Sequence, residues 1–233
     1  MSAPFSLVTW NLFQGIHNSS TRGRFVANPS IDSHLRELDA DIMILPEMWH
    51  FNRPGDSWAA HFAESNGYDV HQWVSDRPSR TREHLLWRMV MLSRIPARPL
   101  EPYVFPQLAR FGQRAMVQIE LPDSGLRIGG VHLLGIHLVR RNPKAWLRER
   151  ASFREAIEGL DVVAGDMNMW GPVVRIDARD MRSAASGRTF PAQRPHSQID
   201  HVLISDRVQA LASERLPNLG SDHRGFKVTL QPT

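Results

Sequence analysis

The chain has no cysteine. That excludes disulfides, thiolate zinc sites and cysteine nucleophiles together. Lysine is nearly absent as well: Lys144 and Lys227 are the only two among 28 basic residues, and the other 26 are arginine. No apolar run approaches the roughly 20 residues of a bilayer-spanning helix. The first ten residues carry neither a basic stretch nor the apolar segment of a secretory signal, so a cytoplasmic location is the expectation. There is no internal repeat, low-complexity tract or block of like charge.

What remains is ordinary for a globular chain. With 42% hydrophobic residues, 233 residues can bury a substantial core unaided, so a single domain over 1–233 is expected. The formal net charge of +4 is too modest to mark a nucleic-acid binder by itself. Arginine's planar fork suits phosphate oxygens, although codon usage alone produces the same bias.

Hydrophobic spacing gives a coarse map. Residues 5–12 read as a strand opening into polar residues, 31–38 as a helix with Ile31, Leu35 and Leu38 on one face, and 41–45 as a short buried strand closed by Pro46-Glu47. A second helix is expected over 57–64. Strands follow at 88–93 and 115–121, and the Pro122–Gly125 turn signal makes 115–132 a hairpin. Asn142-Pro143 starts a helix to about Gly159. Strands at 161–164, 199–204 and 226–230 complete the map, the last two closing the chain. Segments 94–110 and 171–198, rich in proline and arginine, are expected to be loops.

Five of the apolar runs end in ionisable or amide side chains: Asn11, Glu47, His132, Asp166 with Asn168, and Asp222 with His223. A sixth, 199–204, carries Asp200 among apolar neighbours. Carboxylates are costly to bury unless paired or bound to a metal. Their placement makes sense if they converge on a cation and an anionic substrate. Oxygen ligands without sulfur select hard cations, so Mg2+ or Mn2+ is the expected cofactor.

The tripeptides and tetrapeptides around these residues are Thr9-Trp10-Asn11-Leu12, Leu45-Pro46-Glu47, Val131-His132-Leu133, Gly165-Asp166-Met167-Asn168, Ile199-Asp200-His201-Val202 and Ser221-Asp222-His223. Each is weak alone. In this order the set resembles that of the endonuclease/exonuclease/phosphatase superfamily of metal-dependent phosphoesterases, to which deoxyribonuclease-I-like nucleases belong. The resemblance implies an α+β fold, a four-layer α/β/β/α sandwich with two mostly antiparallel sheets face to face and helices outside. It implies a metal site at Asn11, Glu47 and Asp222, with Glu47 the principal ligand. Asp166 would activate water, and Asn168 would bind phosphate or position Asp166. His223 would bind a phosphate oxygen or move a proton, with Asp200 fixing its tautomer. His132 would stabilise the transition state or protonate the leaving group, and Arg114 resembles a substrate-side arginine.

Two departures stand out. Pro46 replaces the glutamine usual before the metal-binding glutamate, and the tyrosine or glycine common at the entry to strand 88–93 is not evident there. The expected substrate is a phosphate ester, with a lean toward diesters and possibly nucleic acid. No obligate protein partner is inferred. A phosphomonoesterase or lipid-headgroup phosphodiesterase of the same fold is the nearest alternative, and a non-catalytic binding module a more distant one.

Simpler readings exist for several of these residues. Asn11 could merely cap a turn. Val131-His132-Leu133 and Ile136-His137-Leu138 are near-duplicates; His132 is preferred because it falls soon after the turn at Gly125. His201 points away from Asp200's face, and Glu83, His84 and His196 read as solvated. The basic cluster Arg140, Arg141, Lys144, Arg148 and Arg150 is explained as well by an exposed helix face as by phosphate binding. Trp10, Trp49 and Trp170 each sit beside a motif, where packing is a commoner role than base stacking.

Overall fold

Strands buried at every position, such as Ile42–Pro46, Val162–Asp166 and Asp200–Ile204, have two apolar faces, and a sheet with two apolar faces needs a layer on each side. The protein, seen in a computed structural model, meets that need with four layers. The structure describes residues 3–15, 28–48, 58–79, 82–106, 113–135 and 142–233, and their side chains except at 75–79 and 82–87. His137, Trp49, Arg140 and Arg141 lie outside the described residues, as do the side chains of Glu83 and His84.

Six strands make the first sheet, in the spatial order β12 (Val208–Arg215), β13 (Phe226–Pro232), β1 (Phe5–Thr9), β2 (Ile42–Pro46), β4 (Arg82–Ser93) and β3 (Asp69–Ser79). The second sheet runs β10 (Arg182–Ser183), β11 (Asp200–Ile204), β9 (Val162–Asp166), β8 (Leu126–His132), β7 (Ala115–Leu121) and β5 (Arg98–Pro99), with β6 (Tyr103–Val104) also paired to β7. All described pairings are antiparallel except β1 with β2 and β8 with β9. A parallel pair needs a crossover. The helices α1 (Ile31–Leu38) and α3 (Pro143–Ala156) lie in those two connections, while α2 (Trp58–Asn66) and α4 (Gly171–Asp177) follow β2 and β9.

Side chains from the two inner faces form the central core. Leu7, Ile42, Ile44, Met91 and Val228 of the first sheet share one cluster with Ile119, Ile128, Val162, Ala164 and Val202 of the second. On the first sheet's outer face, Val8, Met43, Leu45 and Val90 pack with Ile31 and Leu35 of α1 and Phe62 of α2. On the second sheet's outer face, Met116, Val131, Val163 and Leu203 pack with Phe153 of α3 and Val174 of α4. The fold is the expected α/β/β/α sandwich of two mostly antiparallel sheets. None of the described helices is long and apolar enough to cross a membrane.

The helix at 31–38, the hairpin over 115–132 and the capped start of α3 match the sequence map. Asn142 caps α3 by accepting the Ala145 backbone N–H at 3.1 Å, and Pro143 fills the first turn where no donor is needed. Three expectations need correction. Segments 94–110 and 171–198 are not wholly loops: β5 and β6 lie in the first, α4 and β10 in the second. The strand expected at 88–93 begins at Arg82, and β3 and β12 lie where the map has no strand, so 199–204 and 226–230 are not consecutive strands. Asp222 and His223 do not end a strand but stand in the connection that enters β13.

Candidate active site

Strand polarity brings the chemical residues to one end of the sandwich. In the first sheet β1 and β2 run parallel, so Asn11 and Glu47 follow their ends on the same side. Antiparallel β13 pairs Phe226 with Thr9, which returns Asp222 and His223 to that side. In the second sheet His132 is the register partner of Asp166, and Asp166 is the partner of Asp200. Two glycines permit the close approach. A Cβ at Gly165 would stand 1.9 Å from the Val131 carbonyl oxygen, and one at Gly225 would stand 2.0 Å from that of Thr9. Glu47 and Asn168 adopt positive φ values of 57° and 50°. Left-handed backbone is costly for non-glycine residues and gathers at functional sites.

A polar network joins the two sheets. Asn11 Nδ2 donates to Asp166 Oδ2 at 3.0 Å and to Glu47 Oε1 at 3.3 Å, while Asn11 Oδ1 accepts the Phe13 N–H at 2.9 Å. Asn168 donates through its backbone N–H to Asp166 Oδ1 (2.9 Å) and through Nδ2 to Asp166 Oδ2 (3.0 Å) and to the Leu133 carbonyl (3.0 Å). His132 Nε2 lies 3.6 Å from Glu47 Oε1 and 3.5 Å from Asp166 Oδ2. His223 Nδ1 is 2.9 Å from Asp200 Oδ2, and its Nε2 faces Asp166 at 3.8 Å and Asp222 at 4.0 Å.

The loop carrying His223 is itself braced. Ser221 Oγ donates to the Asn11 carbonyl at 2.6 Å and accepts the His223 N–H at 3.1 Å. Trp10 Nε1 donates to the His223 carbonyl at 3.3 Å, and the Phe190 ring lies 4.9 Å from the imidazole centre. Trp10 is therefore a buried brace. Trp170, by contrast, is exposed.

Burial sets the charge states. It raises the carboxyl of Glu47, of Asp166 against the pull of His223, and of Asp222 to about 6. Burial would lower His223, but the charges of Asp200, Asp166 and Asp222 and the hydrogen bond to Asp200 outweigh it and hold the imidazole well above its ordinary value. His132 moves the opposite way. Burial, then the charges of Arg114 and His223, hold it well below the ordinary value, which favours the neutral imidazole.

The arrangement fits a hard divalent cation. Carboxylate and imidazole atoms gather within 4.8 Å in two overlapping groups, Glu47–His132–Asp166 and Asp166–Asp200–His223. The donors are oxygen and nitrogen with no sulfur, and burial raises the carboxyls of Glu47, Asp166 and Asp222, so a cation placed among them would favour their charged forms. Asp200 Oδ1 is buried with no hydrogen-bond partner among the described residues.

All nine residues singled out from the sequence lie at or beside this centre, with differences in detail. Asn11 presents its amide nitrogen to the carboxylates, so in this arrangement it steadies them and does not offer an oxygen. Arg114 stands one residue before β7, buried, with NH1 3.4 Å from Glu149 Oε1, and its charge acts on His132, Glu47 and Asp166. Glu149 itself carries no signal in the sequence, since nothing in Arg148-Glu149-Arg150 marks it as buried. His201 also contributes to the site's framework. Its Nε2 is 2.8 Å from the Met169 carbonyl, which pins the loop after Asn168.

A two-sheet sandwich with carboxylates and histidines at one edge defines a class, and the sequence agrees with it. The chain belongs to the endonuclease/exonuclease/phosphatase family, whose model matches residues 8–223. Among solved structures, an endonuclease/exonuclease/phosphatase from Beutenbergia cavernae DSM 12333 is similar at TM-score 0.75 and 20% identity, over 99% of this chain and 72% of that one. ANGEL2, described as a 2′,3′-cyclic phosphatase in complex with adenosine-2′,3′-vanadate, is similar at TM-score 0.72 and 15% identity, over 97% of this chain and 95% of its own. The catalytic domain of human Nocturnin with bound sulfate gives 0.69 and 15%, over 99% and 94%. At such identities the likeness is one of fold. No curated protein matches the chain in sequence.

Proposed function

We propose that the chain, acting as one domain, is a divalent-metal-dependent hydrolase of phosphate esters that attacks with activated water and acts on diesters by preference. The observation that carries this is the meeting of Glu47, His132, Asp166, Asp200 and His223 in one buried cluster drawn from both sheets. Glu47 and Asp222, with Asp166 at hand, are the oxygen donors for Mg2+ or Mn2+. When bound, such an ion neutralises charge on the ester and polarises its phosphoryl oxygen.

The chain's own residues supply the rest. Asp166, fixed by hydrogen bonds from Asn11 and Asn168, is the group that orients a water and takes its proton. Asp200 fixes the imidazole of His223 through Nδ1, leaving Nε2–H as a donor to a phosphate oxygen. His132, neutral, is placed to donate from Nε2 to an oxygen that gains charge as the ester breaks. Asn168 holds Asp166, and Arg114 is the cation for a non-bridging oxygen.

The preference for diesters draws on the arginine-rich composition, whose forks suit phosphate oxygens, and on the likeness to ANGEL2, since a cyclic phosphate is itself a diester. Nucleic acid is then the first substrate class to try. The test compares bis- and mono-(4-nitrophenyl) phosphate with Mg2+, with Mn2+ and with chelator. Metal-dependent turnover favouring the bis-ester is the expected result. Rapid cleavage of the monoester alone rejects the diester preference, and salt-sensitive DNA binding with no ester cleaved would point to a binding module.

A further inference from the structure

Glu149 is the only charged residue among the buried positions of α3. Its two oxygens are divided between two elements. Oε2 accepts the Leu134 backbone N–H at 2.8 Å, and Oε1 pairs with Arg114 NH1 at 3.4 Å. Leu134 is two residues past His132, and Arg114 immediately precedes β7. One carboxylate therefore ties the exit of β8 to the entry of β7, at the height of the site.

Arg114 lies in the field of three carboxylates. Its side chain is 11% exposed, and Glu47 and Asp166 act on its charge as well as Glu149. A buried guanidinium needs paired anions. With the charge of Glu149 gone, the attraction of Glu47 and Asp166 would weigh more heavily on this guanidinium. A collapse onto them would occupy the oxygens that a cation needs and remove the fork that a phosphate needs.

We propose that Glu149 is a positioning residue: it holds the Arg114 guanidinium back from Glu47 and Asp166, leaving the arginine for a phosphate oxygen and the carboxylates for a cation. The inference rests on the phosphoester reading above. It differs from plain charge compensation in the sign of its consequences. Removing a negative charge near an anion site tightens anion binding if only the field matters. Removing a positioning group weakens it.

The experiment titrates inorganic phosphate into the protein with Mg2+ by calorimetry, beside kinetics on bis-(4-nitrophenyl) phosphate. Glu149→Gln keeps the size and an acceptor for the Leu134 N–H but deletes the charge. It is expected to weaken phosphate about tenfold and to raise KM by a similar factor, with kcat less changed. Glu149→Asp, which keeps the charge but retracts it, is expected to weaken phosphate too, and it carries the comparison if Glu149→Gln does not fold. In an Arg114→Ala background, Glu149→Gln is expected to add nothing. Phosphate binding that is unchanged or tighter in Glu149→Gln overturns the inference, as does a full further loss in the Arg114→Ala background. A wild-type protein that binds phosphate but turns over no ester sinks the hydrolase reading and leaves this inference standing on affinity. A wild-type protein that binds no phosphate sinks both.

Discussion

Three hydrogen bonds converge on the two oxygens of Asp166, from Asn11 Nδ2, the Asn168 N–H and Asn168 Nδ2. Such donors favour a fixed carboxylate, while burial and the neighbouring Asp200 and Glu47 resist its charge. In the proposed mechanism Asp166→Asn preserves the shape and removes the proton acceptor, and His223→Ala removes the donor held by Asp200. Each is expected to lower kcat by roughly 10²–10⁴, with circular dichroism unchanged; near-normal turnover in either variant would remove that residue from the mechanism. Gly165 is a different kind of residue, needed for what it lacks. Any Cβ there meets the Val131 backbone and must also accept φ of 144°. Gly165→Ala is expected to cost about 1–3 kcal/mol or more by overpacking and to push Asp166 away from His132, a loss readable in urea melts and turnover together. At this scale the site is largely legible in sequence, because short motifs name Asn11, Glu47, Asp166 and His223 directly. Glu149 and Ser221 are not, since their importance lies in contacts with Leu134, Arg114 and the Asn11 carbonyl that no local pattern encodes.

Among the elements, α4 shows how a helix too short to stand alone is kept. Seven residues are marginal in water, and Asp177 at its end is buried between Arg150 and Arg154 of α3, with Nε and NH2 of Arg150 at 2.7 and 2.8 Å. This clamp docks α4, and α4 directly follows the Asn168 loop. Asp177→Ala removes the partner of Arg150 and of the half-exposed Arg154 and is expected to cost about 1–3 kcal/mol, seen as a lower denaturant midpoint, with turnover falling only near the unfolding transition. A midpoint within error of wild type would show the clamp to be idle. The same element explains a gap in the sequence map: Gly171-Pro172 after a strand reads as a loop, though proline is well tolerated in a first helical turn. β12 is hidden for a related reason. It is an edge strand, buried clearly only at Val208, so it lacks the alternation that marks a half-buried strand. By contrast α1, with Ile31 and Leu35 buried one turn apart, carries its pattern openly.

Over the whole molecule, two parallel pairs set in otherwise antiparallel sheets decide where the chemistry falls. β1 with β2 and β8 with β9 each deliver two strand ends to one edge, and stacking the sheets brings those edges together. Asn11 and His223 thereby become neighbours through Ser221 although 212 positions separate them. The ionisable residues at the ends of apolar runs, and the resemblance to a family, suggest this convergence; the pairing register is what makes it a physical fact. Carboxylates gathered at that edge repel one another, and a cation bound among them as proposed would relieve that, so Mg2+ is expected to raise the Tm of the wild-type protein. Glu47→Gln is expected to be as stable as wild type or more so without metal, and to respond to Mg2+ far less. A Tm that Mg2+ raises equally in both would place the cation elsewhere.

The central claim is that residues from both sheets form one cation site, and Mn2+ binding read by electron paramagnetic resonance tests it most directly. The free-ion signal is expected to fall on adding wild-type protein and to persist with Glu47→Gln or Asp166→Asn at the same concentrations. Equal loss of the signal in all three proteins would contradict the account.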